Sequence, residues 1–528
     1  MLSDQILSTG GLVLFGLFAV AGFLLLAIVV RRARPVEEAT GDAAWRILRN
    51  SSLPIASQFF VRGIDLLVAL AVLRLLGPTG NGQYALAVII WFYVKTVSDF
   101  GLGLFATREI SQATERSGAL TGGTALFRLL VLAGAAIPVA LYLAIRGQLG
   151  TVSDEVVLTV AILLVTIVPG SLSEALNSAL NGVERMDVAA GINVAVNLVR
   201  APLAILLAAT SLGIVGIALA ALVGSLVSVA GFLLAYARLE LSPIVYRLDM
   251  QQVRRYARES APLLVNALLL SLFFRFDIFI VEAFQGSESV GLYDAAFKPI
   301  NLLTIIPAYA TLAVFPLMAR RASDPVSLMR ANRMTAYLLV TLAWVIVVAT
   351  VALARPAIQL LAGDAFLPES ARLLRILVFF APLSFLNGVF QYVLIAQGRQ
   401  RDIVPAFGAA VAFNVAGNFL LVPFYGTLAA ATLTVLTEVV IFIAFVVLTR
   451  GRPVMIHDRL ALTRILRPSL AGLLGVAATL PFLERPFLAA LMGGATFVVL
   501  ALILGVVGIE EREIVRRLVR RSPSAAAS

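Results

Sequence analysis

The chain is divided by apolar stretches of the length that crosses a bilayer. A membrane-spanning helix needs about 20 mostly apolar residues. Stretches of that kind fall near 10–30, 52–76, 82–105, 124–145, 156–180, 188–209, 213–236, 261–284, 290–319, 334–354, 371–396, 403–422, 427–449, 467–483 and 487–508. That makes about fifteen spans. Their connections are too short for a soluble domain, so they predict a single all-α polytopic membrane domain. Of the 528 residues, 60% are hydrophobic and 13% charged, against about 25% charged in soluble domains. So few charges cannot coat the surfaces of several soluble domains.

The first span lacks a basic residue before it and is followed by Arg31, Arg32 and Arg34. This argues against a cleaved signal peptide and predicts a retained anchor helix with its N-terminus outside. Orientation of the remaining loops then follows. The segments expected in the cytoplasm, the C-terminal tail included, hold 29 of the 41 basic residues; those expected outside hold Arg146, Arg355, Arg372 and Arg485. Such a bias over short loops is a topology signal. The net charge of +11 is therefore spread as an orientation device, which argues against nucleic acid as a partner. Two cytoplasmic segments, residues 244–258 and 510–521, have the pattern of surface helices that would lie on anionic lipid; the competing reading is a solvated loop whose charges only orient the chain.

The chain has no cysteine and one histidine, His457. Disulfides, thiolate metal sites and histidine relays are excluded. No metal site and no cofactor is expected, apart from coupling to a proton or sodium gradient.

Self-comparison reveals a repeat. Ser52-Leu53-Pro54 is echoed by Ser260-Ala261-Pro262, and Gly82-Gln83-Tyr84-Ala85 by Gly291-Leu292-Tyr293-Asp294. Asn193, Asn197 and Pro202 are echoed by Asn414, Asn418 and Pro423. An even number of spans separates equivalent positions, so the repeat is parallel. The expected organisation is an anchor helix and cytoplasmic linker at 1–50, an N-lobe at 51–237, and a cytoplasmic connection at 238–259. A C-lobe at 260–450 follows, then two extra helices and a cytoplasmic tail at 451–528.

Ionisable residues inside spans are costly and point to function. Arg62, Lys95, Arg200 and Arg275 lie near the middle of their spans, and Lys298 in the outer third. These five are the expected substrate-binding residues of a cavity. Arg74, Arg128 and Arg375 lie near span ends, where they can snorkel. Lys95 and Lys298 are the only lysines among 41 basic residues. Local pairing is the competing reading: Lys95 with Asp99, Lys298 with Asp294 and Arg62 with Asp65 have the spacing of one helix face. Arg275 and Asp277 point apart, and Arg200 has no acid within a turn. Arg200 and Arg275 are therefore expected to face an anionic ligand. Asp65, Glu174, Asp277 and Glu438 are the carboxylates expected to couple transport to an ion gradient. Against this stands a structural role as protonated acids. Pro299, Pro307 and Pro316 predict a bent helix.

These residues resemble the polysaccharide flippases of the multidrug/oligosaccharidyl-lipid/polysaccharide exporter superfamily. The resemblance is carried by Leu75-Leu76-Gly77-Pro78-Thr79-Gly80-Asn81-Gly82-Gln83-Tyr84 and Ser98-Asp99-Phe100-Gly101-Leu102-Gly103. It continues through Asp277-Ile278-Phe279-Ile280, Val290-Gly291-Leu292-Tyr293, Arg355-Pro356 and Gly363-Asp364-Ala365-Phe366. It implies two pseudo-symmetric six-helix lobes with additional terminal helices, working by alternating access in a bacterial inner membrane. The implied cargo is an undecaprenyl-pyrophosphate-linked oligosaccharide; the implied partners are membrane lipids and a polysaccharide polymerase with its export machinery. A lipid II flippase is the close alternative, and a multidrug antiporter a further one. A membrane glycan polymerase would need catalytic groups in a large outer loop, and the longest outer segment, about 355–371, is short. No enzymatic activity is expected.

Overall fold

The computed structural model describes residues 9–32, 43–148, 150, 152–303, 306–307, 325–397, 399–448 and 459–506. His457, the tail at 510–521 and Pro316 lie outside them, as does most of the predicted 290–319 span beyond Leu303. The described residues form helices and no strand. The protein is an all-α polytopic membrane protein. In order the helices are α1 (Thr9–Arg32), α2 (Ala43–Asp99), α3 (Leu102–Gln112), α4 (Ser117–Gln148), α5 (Asp154–Gly182), α6 (Met186–Ala208), α7 (Gly213–Arg238), α8 (Met250–Arg275) and α9 (Asp277–Leu303). Then come α10 (Pro325–Leu361), α11 (Glu369–Leu377), α12 (Phe380–Ala396), α13 (Ile403–Leu448), α14 (Arg459–Thr479) and α15 (Pro486–Ile503).

Among the described residues, nine helices are long and apolar enough to cross a membrane. The nine include none of α1, α2, α8 and α9, which hold five of the expected spans, and they count one further pair of expected spans as a single helix. Adjacent spans at 403–422 and 427–449 run together in α13. Its 46 residues would measure about 69 Å if straight, more than twice the roughly 30 Å hydrocarbon layer. Gly426, at φ 57°, turns the chain instead, in a conformation that only glycine adopts freely. Gly77 (φ 65°) does the same inside α2, merging the spans predicted at 52–76 and 82–105.

The chain divides into two compact units, Met1–Gly291 and Leu292–Ser528. In the first, α1 is seated in the core. Leu26 and Val30 belong to one buried cluster with Leu176, Ile192 and Phe232. Glycines make the seat: a Cβ on Gly191 would lie 2.6 Å from Val29, and one on Gly231 2.8 Å from Leu26. In the second unit, α14 packs on α10 through Gly472, whose missing Cβ leaves room for the Trp344 ring. Trp344 Nε1 donates to Ser469 Oγ at 3.0 Å.

The predicted surface helix at 244–258 is corrected in part. Residues 240–249 are irregular, with no helix until Met250. This strand-like strap lies against the start of α4, where Gly118 and Gly122 leave space for the carbonyls of Pro243 and Val245. Gly118 N donates to Ser242 Oγ at 2.8 Å, and Tyr236 OH to the Ser242 carbonyl at 2.7 Å. The charge pattern is helical, but these contacts satisfy the backbone in another way. Helix α8 begins only where Asp249 caps it, accepting from Gln252 N at 2.7 Å while Gln252 Oε1 accepts from Asp249 N at 3.0 Å.

Candidate functional site

The second half of α2 sets Trp91, Lys95 and Asp99 four residues apart, on one helix face. That face lines a cavity of about 230 Å³ in the first unit, closed by α4, α5, α6 and α7. Arg128 on α4, Glu174 and Ser173 on α5, and Arg200 on α6 also line it.

The charges here pair between helices. Lys95 Nζ lies 3.3 Å from Glu174 Oε1 and sits over the Trp91 ring at 5.4 Å from its centroid. Asp99 Oδ1 accepts from Arg128 Nε at 3.1 Å and from Nη2 at 2.9 Å. The Arg128 side chain is only 1% exposed, whereas that of Asp99 is 38% exposed. Arg200 Nη2 donates to Asp65 Oδ1 at 2.5 Å and to Asn197 Oδ1 at 2.7 Å. Trp91 is pinned by its Nε1 bond to Thr166 Oγ1 at 3.1 Å.

These pairs correct the local ones. Lys95 engages Glu174, leaving Asp99 to Arg128. Arg128 is therefore a buried member of the site and does not snorkel. Asp65 engages Arg200, and Arg62 is exposed with no ion pair among the described residues. Both Arg200 and Glu174 lacked a partner within a turn, and both find one on another helix. The pair Lys298–Asp294 forms as spaced, at 2.8 Å. Arg375 donates through Nε to the Val351 carbonyl at 3.2 Å and is held there.

The cavity thus brings together Lys95, Glu174 and Arg200, with Asp65 behind Arg200. Arg275 and Asp277 do not line it; Asp277 is buried at the start of α9 and accepts from Ile278 N at 3.0 Å. Lys298 and Glu438 belong to the second unit. There, Glu438 is buried among α12 and α13 and accepts from Asn387 Nδ2 at 2.7 Å. Asn414 donates to Thr437 Oγ1 at 2.9 Å, and Asn418 to the Asn414 side chain at 3.1 Å. The repeat recurs in this detail: Asn197 Nδ2 donates to the Asn193 carbonyl at 2.9 Å, and Asn418 Nδ2 to the Asn414 carbonyl at 2.8 Å. No group of three or more metal-ligating side chains occurs among the described residues.

Sequence reasoning missed Arg128, Trp91 and Ser173 as cavity residues. The stripe Trp91-x3-Lys95-x3-Asp99 was the available signal for the first helix; nothing in sequence marked the neighbours that face it.

An all-α bundle with an ionic cavity inside one unit defines the class: a polytopic membrane protein. The narrower assignment comes from comparison. Residues 47–322 match the family described as polysaccharide biosynthesis protein, and residues 262–420 match the MatE family. The chain belongs to the polysaccharide biosynthesis protein family, within the multidrug/oligosaccharidyl-lipid/polysaccharide exporter superfamily.

Among solved structures, it is similar to the lipid II flippase MurJ in an inward closed conformation, with a TM-score of 0.67 at 15% identity. That match covers 86% of this chain and 98% of the other. It is also similar to an inward-facing multidrug resistance MATE family transporter, with a TM-score of 0.55 at 15% identity, covering 77% of this chain and 95% of that one. At such identities the likeness is one of fold. No curated protein matches the chain in sequence.

Proposed function

We propose that the protein flips undecaprenyl-pyrophosphate-linked oligosaccharide units from the cytoplasmic to the outer leaflet of a bacterial inner membrane, by alternating access. The observation that carries this reading is the cavity of Lys95, Glu174, Arg128, Asp99 and Arg200, built into membrane-spanning helices of a chain from the polysaccharide biosynthesis family. Ionisable groups persist at such depth where they serve a polar cargo or a coupling ion. A cationic drug gains no advantage here, because each carboxylate lining the cavity already holds a base. The N-terminus lies outside and the C-terminus in the cytoplasm in this reading, as the 29 cytoplasmic basic residues require. A glycan polymerase and its export machinery would take over the flipped unit.

Reconstitution into proteoliposomes tests the proposal. A lipid-linked oligosaccharide with a labelled glycan, loaded in one leaflet, should become accessible to a glycosidase on the other side only when the protein is present. Lipid II is the competing cargo, because the fold is shared with a lipid II flippase. Transport of lipid II and not of the oligosaccharide would replace the proposal with that alternative.

A further inference from the structure

The cavity of the first unit is lined by three cations, Lys95, Arg128 and Arg200, and two carboxylates, Glu174 and Asp99, and every one of these charges is paired, Arg200 with Asp65 behind it. Lys95 and Arg128 each hold a carboxylate, and the side chains of Glu174 and Asp99 remain 41% and 38% exposed. A diphosphate entering here would find the cations already engaged and would have to displace a carboxylate from Lys95, Arg128 or Arg200 to gain a contact. A neutral polyhydroxylated group has the opposite match, since each hydroxyl both donates and accepts. Arg128 takes only Oδ1 of Asp99, so Oδ2 is open to a hydroxyl donor. Trp91, fixed by Thr166, adds a rigid aromatic wall of the kind that packs against the C–H face of a pyranose. The volume of about 230 Å³ is the scale of one sugar ring with its hydroxyls.

We infer that this cavity is a subsite for a neutral sugar ring of the cargo, and that the pyrophosphate is held elsewhere. The inference rests on the flippase reading and says which part of the cargo the paired charges recognise. Asp99 and Glu174 accept from sugar hydroxyls and Lys95 donates to them, the three side chains being 38%, 41% and 42% exposed.

The test uses the full chain in lipid nanodiscs free of sugar-headed detergent, read by tryptophan fluorescence. The probes are neutral methyl glycosides (glucoside, galactoside, mannoside and N-acetylglucosaminide) and, separately, farnesyl diphosphate. At least one glycoside should give a saturable change that is absent in Trp91→Phe and shifted about tenfold to weaker binding in Lys95→Gln and Glu174→Gln. Farnesyl diphosphate should leave the Trp91 signal unchanged. A Trp91 response saturated by farnesyl diphosphate, the absence of any glycoside response, or affinities unmoved in both variants would overturn the assignment. Proteoliposome transport measured on the same preparations separates the two readings. Transport without a glycoside signal removes the sugar subsite alone, and a glycoside signal without transport of any lipid-linked glycan removes the flippase alone.

Discussion

Gly82 and Gly291 hold each other's helices at a distance that no side chain would permit. A Cβ on Gly82 would lie 1.6 Å from the Ser287 carbonyl oxygen, and one on Gly291 would lie 1.8 Å from the Pro78 carbonyl oxygen. Asn81 Nδ2 closes the contact by donating to the Gly291 carbonyl at 3.2 Å. Pro78 and Ser287 are related by the same sequence offset as Gly82 and Gly291, so the contact repeats itself with the two partners exchanged. Four-residue turns of backbone meet here without side chains, as small residues allow in membranes.

Either Gly82→Ala or Gly291→Ala should therefore destabilise the protein by about 1–3 kcal/mol or more, because backbone rather than a flexible side chain must move. Thermal unfolding of the detergent-extracted protein measures this. Gly134→Ala is the control: nothing lies within 4 Å of its Cβ, and alanine in a helix interior should be neutral or stabilising by up to about 1 kcal/mol.

The Arg128–Asp99 pair predicts a strong asymmetry. Asp99→Asn leaves a guanidinium that is 1% exposed without its counter-charge, a change that typically costs about 3–5 kcal/mol. Replacing both residues by apolar ones of similar size should recover most of that loss. A double-mutant cycle on the unfolding midpoint checks it; simple additivity of the two single losses would contradict the pairing.

Arg200 and Asp65 are more exposed, at 35% and 50%, and a pair of that kind contributes about 0–1 kcal/mol. Arg200→Ala should thus leave protein levels normal while blocking export of the lipid-linked glycan, the same outcome expected for Arg275→Ala. Wild-type export by both variants would detach these arginines from transport.

Glu438 separates stability from coupling. Glu438→Gln keeps an acceptor for Asn387 and should fold normally, and transport by the variant should lose its dependence on an ion gradient. Glu438→Leu removes one of the two acceptors of Asn387 Nδ2, leaving the Glu438 main-chain carbonyl at 2.9 Å, and should cost about 1 kcal/mol. Unchanged gradient dependence in the glutamine variant would make Glu438 a structural acid.

Much of the architecture was legible because the membrane imposes a length on every helix. The apolar runs located the nine helices long and apolar enough to cross a membrane among the described residues, and the repeat matched Gly82 to Gly291 and Asn197 to Asn418 as equivalent positions. Charge pairing was legible only within a helix. Spacing found Lys298 with Asp294, since i and i+4 share a face. It could not find Lys95 with Glu174 or Arg200 with Asp65, whose partners lie on other helices and far away in sequence. The strap at 240–249 misled for the same reason: its helical charge pattern is local, and the Gly118–Gly122 surface that receives it is not. Burial of Arg128 likewise depends on neighbours that no window around it contains.

The seat of α1 sets a schedule for biosynthesis. Leu26 and Val29 reach the membrane long before Gly231 and Gly191, the glycines that receive them, have been translated. At about 5–20 residues per second, that interval is on the order of ten to forty seconds. During it α1 has no partner of its own chain to cover the face that ends in the core. The helix must be retained at the site of insertion, or shielded by lipid or an insertion factor, until α6 and α7 arrive. A mutation that weakens this seat should therefore show first as slow or failed insertion of newly made protein, ahead of any defect in the mature molecule.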